Sequence, residues 1–232
     1  VDVGIVSEAA VAITKQGNGI LQLTRANTYA GQTLIREGTI LLTGAGKLGA
    51  GAVTLGGLGD ATLAYNVTGD NTTANAIGGT GTITQKGAGI VTLSGANTYA
   101  GTTHVEAGTL KAGSATAFGT SSVLLSSGAT LDIGNYALGN AVAVKAGASG
   151  ALSTASVTSD GGTLGSLTLG SYSRLNVTGS MALASGAELT FDMTGVTAGD
   201  NALVTLTGGL TVNGTHKLTL SNYETLTDSG SY

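Results

Sequence analysis

Apolar residues recur along the chain in short pairs at spacing two, separated by polar and glycine-bearing stretches. In the second half Leu167/Leu169, Leu175/Val177, Met181/Leu183, Leu189/Phe191, Leu210/Val212 and Leu218/Leu220 are such pairs. Period two puts both members on one face of a strand. Gly170, Gly179, Gly186, Gly195, Gly208-Gly209 and Gly214 fall between them, so each short strand is expected to point inward and then turn. In the first half Ile90, Val91 and Leu93 form a β-rich run, followed by the turn Ser94-Gly95-Ala96-Asn97. Thr102-Thr103-His104-Val105 reads as the next strand, Glu106-Ala107-Gly108 as a turn and Thr109-Leu110 as another strand. Strand-sized runs about 8–12 residues apart are the rhythm of a sandwich, a barrel or a solenoid.

A repeat decides among these. Ile13 to Thr39 aligns without gaps to Ile83 to Thr109, with more than half of the positions identical. Leu48-Gly49 and Val53-Thr54-Leu55 then answer to Phe118-Gly119 and Val123-Leu124-Leu125, and Ala61-Thr62-Leu63 to Ala129-Thr130-Leu131 after a small slip. A unit repeated at a fixed offset cannot bury its apolar face alone; stacking on its neighbours makes a continuous core. The expected fold is therefore all-β, a parallel β-helix. With roughly 20–25 residues per winding, the offset of about 70 equals three windings, and about ten windings make a rod on the order of 50 Å long. Asn27 and Asn97 then occupy equivalent turns, where Asn tolerates left-handed backbone and satisfies nearby amides. The whole of 1–232 reads as one β-helix segment, with repeat copies at about 11–66 and 81–134 and divergent coils over 135–232.

Composition agrees with this picture and narrows the function. Forty glycines, no Pro and no Cys leave no long Gly-free stretch for helices, since Gly costs about 1 kcal/mol relative to Ala inside one. Aromatics are 4% and charged residues 9%, so the core is thin and built of small side chains. Nine scattered Lys and Arg, against a net charge of −4, do not form the basic patch that nucleic acid demands. No apolar run is long enough for a membrane-spanning helix. The chain begins at Val1 without a signal peptide and reads as a processed or excised piece of a longer precursor.

The phrase Gly89-Ile90-Val91-Thr92-Leu93-Ser94-Gly95-Ala96-Asn97-Thr98-Tyr99-Ala100-Gly101-Thr102-Thr103, with Val105-Glu106-Ala107-Gly108-Thr109-Leu110, resembles the autotransporter-associated strand repeat. Phe118-Gly119 and Ser127-Gly128-Ala129-Thr130-Leu131-Asp132 continue the likeness, and Gly19–Thr39 is a degraded copy with Arg25 in place of the turn Gly. The resemblance implies a right-handed parallel β-helix exported through an outer-membrane pore, whose C-terminal barrel belongs to the precursor and lies outside this chain. It also implies roles in adhesion, autoaggregation and biofilm formation.

Candidate chemistry is sparse. Gly44-Ala45-Gly46-Lys47-Leu48-Gly49 fits GxGxxG, but no helix follows to receive a pyrophosphate, so it reads as a turn. Gly56-Gly57-Leu58-Gly59-Asp60 hints at a calcium-binding nonapeptide, yet Asp60 directly follows the Gly and no tandem copy exists. Asp228-Ser229-Gly230 would need a His and an acid in register; His104 stands where the other copy has Leu34, and His216 neighbours Lys217. Glu37, Glu106, Asp132, Asp192 and Asp200 are scattered and read as solvated turn acids more readily than as a glycosidase pair. Asn66, Asn71, Asn176 and Asn213 fit N-x-Thr, which carries little meaning in a bacterial protein. Tyr29 and Tyr99, each following Asn-Thr, either stack on a sugar or protein partner or pack over a winding corner, and packing is favoured.

The expected role is a secreted or surface-exposed passenger segment, adhesive through multivalent contacts with its own kind or with glycans and proteins on neighbouring or host cells. No cofactor, metal or catalytic residue is expected; Asn27, Tyr29, Asn97 and Tyr99 are the candidate binding or structural turn residues. Uncapped rod ends would expose strand edges for end-to-end stacking. The alternatives are a passive stalk or folding-promoting region and, behind it, a polysaccharide-active β-helix enzyme.

Overall fold

The computed structural model describes residues 10–146, 153–192, 203–206, 210–212 and 217–221. Among these there is no helix, and every ladder is parallel. The strands stack into a β-solenoid of about nine turns with three faces. The first face has four strands, Ile13–Lys15, Thr33–Ile35, Val53–Leu55 and Ile77–Gly79. The second runs through ten, from Ile20–Leu23 to Lys217–Ser221. The third begins at Asn71–Thr73 and climbs through Ile90–Leu93, Thr109–Ala112, Thr130–Gly134, Ser153–Leu164 and Ser173–Leu183 to Leu203–Leu206.

Period-two patterning sets which side chains enter the core. In Val53–Leu55, Thr103–Val105 and Val123–Leu125 the outer two residues are buried and the central one is not. Successive windings then align like on like. Leu21, Ile40, Leu63 and Ile83 form one inward column, and Val91, Leu110, Leu131, Val157 and Val177 another. Burying a Leu, Ile or Val contributes roughly 1.5–3 kcal/mol, and each winding supplies several. No single winding is self-sufficient, because its apolar residues are covered from above and below.

The register corrects the expected repeat phase. Ile13 pairs with Thr33, Thr33 with Val53, and Val53 with Ile77, so three windings end at Ile77 and not at Ile83. Ile83 lies farther along the chain, on the second face beside Leu63 and Thr103. The two copies are thus about three and one-third windings apart. Copy one places its strands on the first and second faces, and copy two on the second and third. The cause is the segment between them, in which Asn71–Thr73 and Ile77–Gly79 pair as additional strands, giving the middle windings three strands each. In the windings of both repeat copies one corner is a turn-rich loop, whereas Ser153–Leu164 and Ser173–Leu183 run through theirs as continuous strands.

A second correction concerns Gly179. It does not end a strand; Ser173–Leu183 runs through it with the glycine at φ +88, opposite Ser159. A Cβ there would meet the Ser159 carbonyl at 1.9 Å, so the position bends a continuous ladder that only Gly can occupy. The expectations at Gly195, Asp200, Gly208-Gly209, Asn213, Gly214, His216 and 228–230, and those about the rod ends, lie outside the described residues.

Candidate functional site

Asn27, Tyr29, Asn97 and Tyr99 all point inward. Both tyrosines are 0% exposed, Asn97 is 2% exposed and Asn27 is 7% exposed, so none presents a surface to a partner. Because of the phase shift, the loop carrying Asn27 and Tyr29 lies under the third face, below Gly46 and Asn71, while that carrying Asn97 and Tyr99 lies over Ile77 of the first. The two Tyr therefore do not stack on each other.

Each still performs the same local task. The Tyr29 hydroxyl is 2.6 Å from Thr33 Oγ1, and Tyr99 repeats this with Thr103 at 2.6 Å. Thr103 continues to Ser121 at 2.8 Å, whose hydroxyl donates to the Phe118 carbonyl at 2.8 Å. A buried phenol needs such a partner, because a lone one would keep its desolvation penalty. Burial pushes Tyr99 up to about 12 and Tyr65, whose hydroxyl is 2.9 Å from Thr73, higher still. Directly above Tyr29 sits Gly49, where a Cβ would come within 2.1 Å of the Tyr29 carbonyl and 2.5 Å of its ring. Gly119, with φ +53, sits over the Tyr99 backbone, where a Cβ would come within 2.3 Å of the Tyr99 carbonyl. Tyr in one winding and Gly in the next are thus a single packing unit.

Buried amides bind winding to winding. Asn97 accepts from the Ile77 amide at 2.9 Å below and donates to the Ala117 carbonyl at 2.7 Å above. Asn27 donates to Lys47 O at 2.6 Å. The sequence reading missed further members: the half-buried Asn75 donates to Gly49 O and Gly51 O at 2.7 and 2.6 Å, and the buried Asn140 to Ser121 O at 2.8 Å. Lys15 and its repeat counterpart Gln85 were missed as well. Lys15 donates to the carbonyls of Gln16, Gly17 and Glu37, and Gln85 to those of Gly87 and Gly89, so both close a corner from inside. Long polar residues at matching repeat positions, each ending a strand, were the available signal.

The remaining candidates resolve into surface or turn geometry. Gly44–Gly49 is a corner in which a Cβ on Gly46 would lie 2.0 Å from Leu23 O, so close stacking accounts for this glycine. Glu37 and Asp60 line an open surface cleft with Asn18, Thr39 and Thr62. No cluster of three His, Cys, Asp or Glu occurs among the described residues. His104 stands on an outward position between Thr84 and Leu124. Glu106 meets Lys86 at 3.4 Å with both side chains nearly half exposed, and Asp132 meets Lys111 at 2.7 Å. Hydrogen bonds from Thr219 and Lys217 hold the Glu188 carboxyl below its usual range.

The outward positions of the strands are rich in hydroxyls. On the third face Thr72, Thr92, Lys111, Asp132, Thr158 and Thr178 form one outward column. Beside it run Thr109, Thr130, Ser156 and Asn176. On the second face Thr39, Thr62 and Thr82 align. Neighbours within a column are about 4.8 Å apart.

The family of passenger-associated-transport-repeats matches residues 13–42 and 83–112, the cores of both copies. The chain is similar to the adhesin BmaC autotransporter of Brucella suis biovar 1 (strain 1330), at 34% identity over 133 residues. That alignment covers 55% of this chain and 4% of the relative, so the chain spans only a small fraction of that protein. No solved structure matches. Parallel windings that carry two matches to this repeat family, together with this relative, make the chain similar to part of an autotransporter passenger.

Proposed function

We propose that this segment is a non-enzymatic adhesive rod, held at the bacterial surface or released from it, which engages partners through many weak contacts along its outer faces. The observation that carries the reading is the division of labour among its polar groups. The buried amides and phenols serve the stacking of windings, whereas the outward columns are left as repeated, shallow arrays of Thr, Ser and Asn. Such arrays suit avidity, in which each contact is weak and linkage multiplies them. The relative's designation as an adhesin supports the same role. Autoaggregation and biofilm growth are the forms of adhesion that a self-complementary hydroxyl face would promote.

The test is deletion of the segment from its parent protein, with export verified, followed by cell aggregation and surface-attachment assays. Reduced attachment is expected; unchanged attachment at equal surface display would leave the segment as a stalk.

A further inference from the structure

We propose that a cleft on the third face, beside the out-turned segment 134–137, is a subsite for a sugar residue of a neutral glycan chain. The inference rests on the adhesive reading and gives it a place and a ligand chemistry. The cleft holds about 540 Å³, and Lys111, Asp132, Asn135, Tyr136, Thr158 and Asp160 contribute its functional groups. That volume falls within the usual range for small-ligand sites.

Its origin is a double break in the ladder. Register shifts between Asp132 and Gly134 on one strand, and between Asp160 and Gly162 on the next. Bulges re-aim side chains, and here two on neighbouring strands open to the same space. Ser159 braces them, accepting from the Gly162 amide at 2.9 Å and donating to the Gly134 carbonyl at 3.3 Å. Gly134, at φ +53, lets the chain turn out and carry Tyr136 to the cleft wall. The Tyr136 hydroxyl donates to Gly113 O at 3.1 Å, and its ring packs against the core while also lining the cleft. The aromatic wall is therefore fixed before any ligand arrives, which lowers the ordering cost of binding.

The charges select the ligand. Lys111 donates to Asp132 Oδ2 at 2.7 Å, and the Gly134 amide to Oδ1 at 3.0 Å, so this pair is already matched. Asp160 adds a second carboxylate at the exposed rim, beside the exposed Asn135 amide. One ammonium against two carboxylates offers no surplus positive charge to a phosphate, sulfate or uronate. A neutral pyranose fits better. Its hydroxyls donate to carboxylates and accept from the ammonium and amide, and its C–H face rests on a Tyr ring.

The experiment titrates the isotope-labelled 232-residue chain with neutral hexasaccharides of glucose, mannose, galactose and N-acetylglucosamine, with hexagalacturonate and calcium chloride as comparators. Amide shifts confined to 132–137 and 158–162 with at least one neutral sugar are expected. Asp160→Ala, at the exposed rim, should keep the parent melting curve and weaken that binding about tenfold. Tyr136→Ala should weaken it at least as much and also lower the melting temperature, because its ring packs on the core. The proposal is overturned if no neutral sugar moves those amides, if only the uronate or calcium does, or if Asp160→Ala binds like the parent. A silent cleft in a segment whose deletion still abolishes attachment removes this subsite alone. Deletion without effect removes the adhesive role itself.

Discussion

Asn97 joins three consecutive windings through one side chain, so replacing it with Ala severs both joints at once. The Ile77 amide and the Ala117 carbonyl would each be left buried without their present partner. An unsatisfied buried backbone group costs about 1–3 kcal/mol, which gives roughly 2–6 kcal/mol for the pair, the lower end applying if water enters. We expect about 3 kcal/mol. Solenoids need not unfold in one step, so a global melt can understate a local loss. Hydrogen exchange at Ile77 is the sharper assay: 3 kcal/mol of local opening corresponds to exchange about a hundredfold faster. Asn66→Ala is the control, because Asn66 is exposed; it should change stability by no more than about 0.5 kcal/mol. If Ile77 stayed as protected in Asn97→Ala as in the parent, with an unshifted denaturation midpoint, the idea that buried amides tie the windings together would be refuted.

Other outcomes follow from the same geometry. Gly49→Ala drives a Cβ into the Tyr29 carbonyl and ring and should cost about 3 kcal/mol in urea denaturation, whereas Gly69→Ala, with open space around it, should be neutral or stabilising by a few tenths. Tyr99→Phe should cost about 1 kcal/mol, because it withdraws one hydroxyl from the Thr103–Ser121 chain without opening a cavity. Burial raises the folded-state values of Tyr65 and Tyr99 above the unfolded value of about 10, so the stability this represents is intact below about pH 10 and declines as pH rises toward 12. Phenolate absorbance from these two should therefore lag behind that of exposed tyrosines in an alkaline titration. Glu106→Gln should leave stability within about 0.5 kcal/mol, since the Lys86–Glu106 pair is long and solvated.

The strand pattern was legible because a two-residue period and interspersed Gly leave little choice: Leu167/Leu169 and Leu175/Val177 lie where the alternation puts them. The phase of the repeat was not. Identity between Ile13–Thr39 and Ile83–Thr109 measures a distance along the chain, while the winding length is set by how loops stack, and a non-integral ratio leaves no mark on the alignment. The polar interior was half legible. Asn97 and Tyr99 stood out as repeated, but Asn75 and Asn140 have no counterpart in the repeat, and their role appears only once Gly49 and Ser121 lie beneath them. The cleft at Tyr136 was illegible because it arises where the regular ladder fails.

The advance of one face per copy has a bearing on any longer array that keeps the same spacing. Copies would climb as a spiral staircase, returning to the starting side only after three of them, or about ten windings. Equivalent surface residues would then point around the whole circumference, and such a fibre would have no blind side. A flat partner lying along it would meet the same copy-specific chemistry only at every third step.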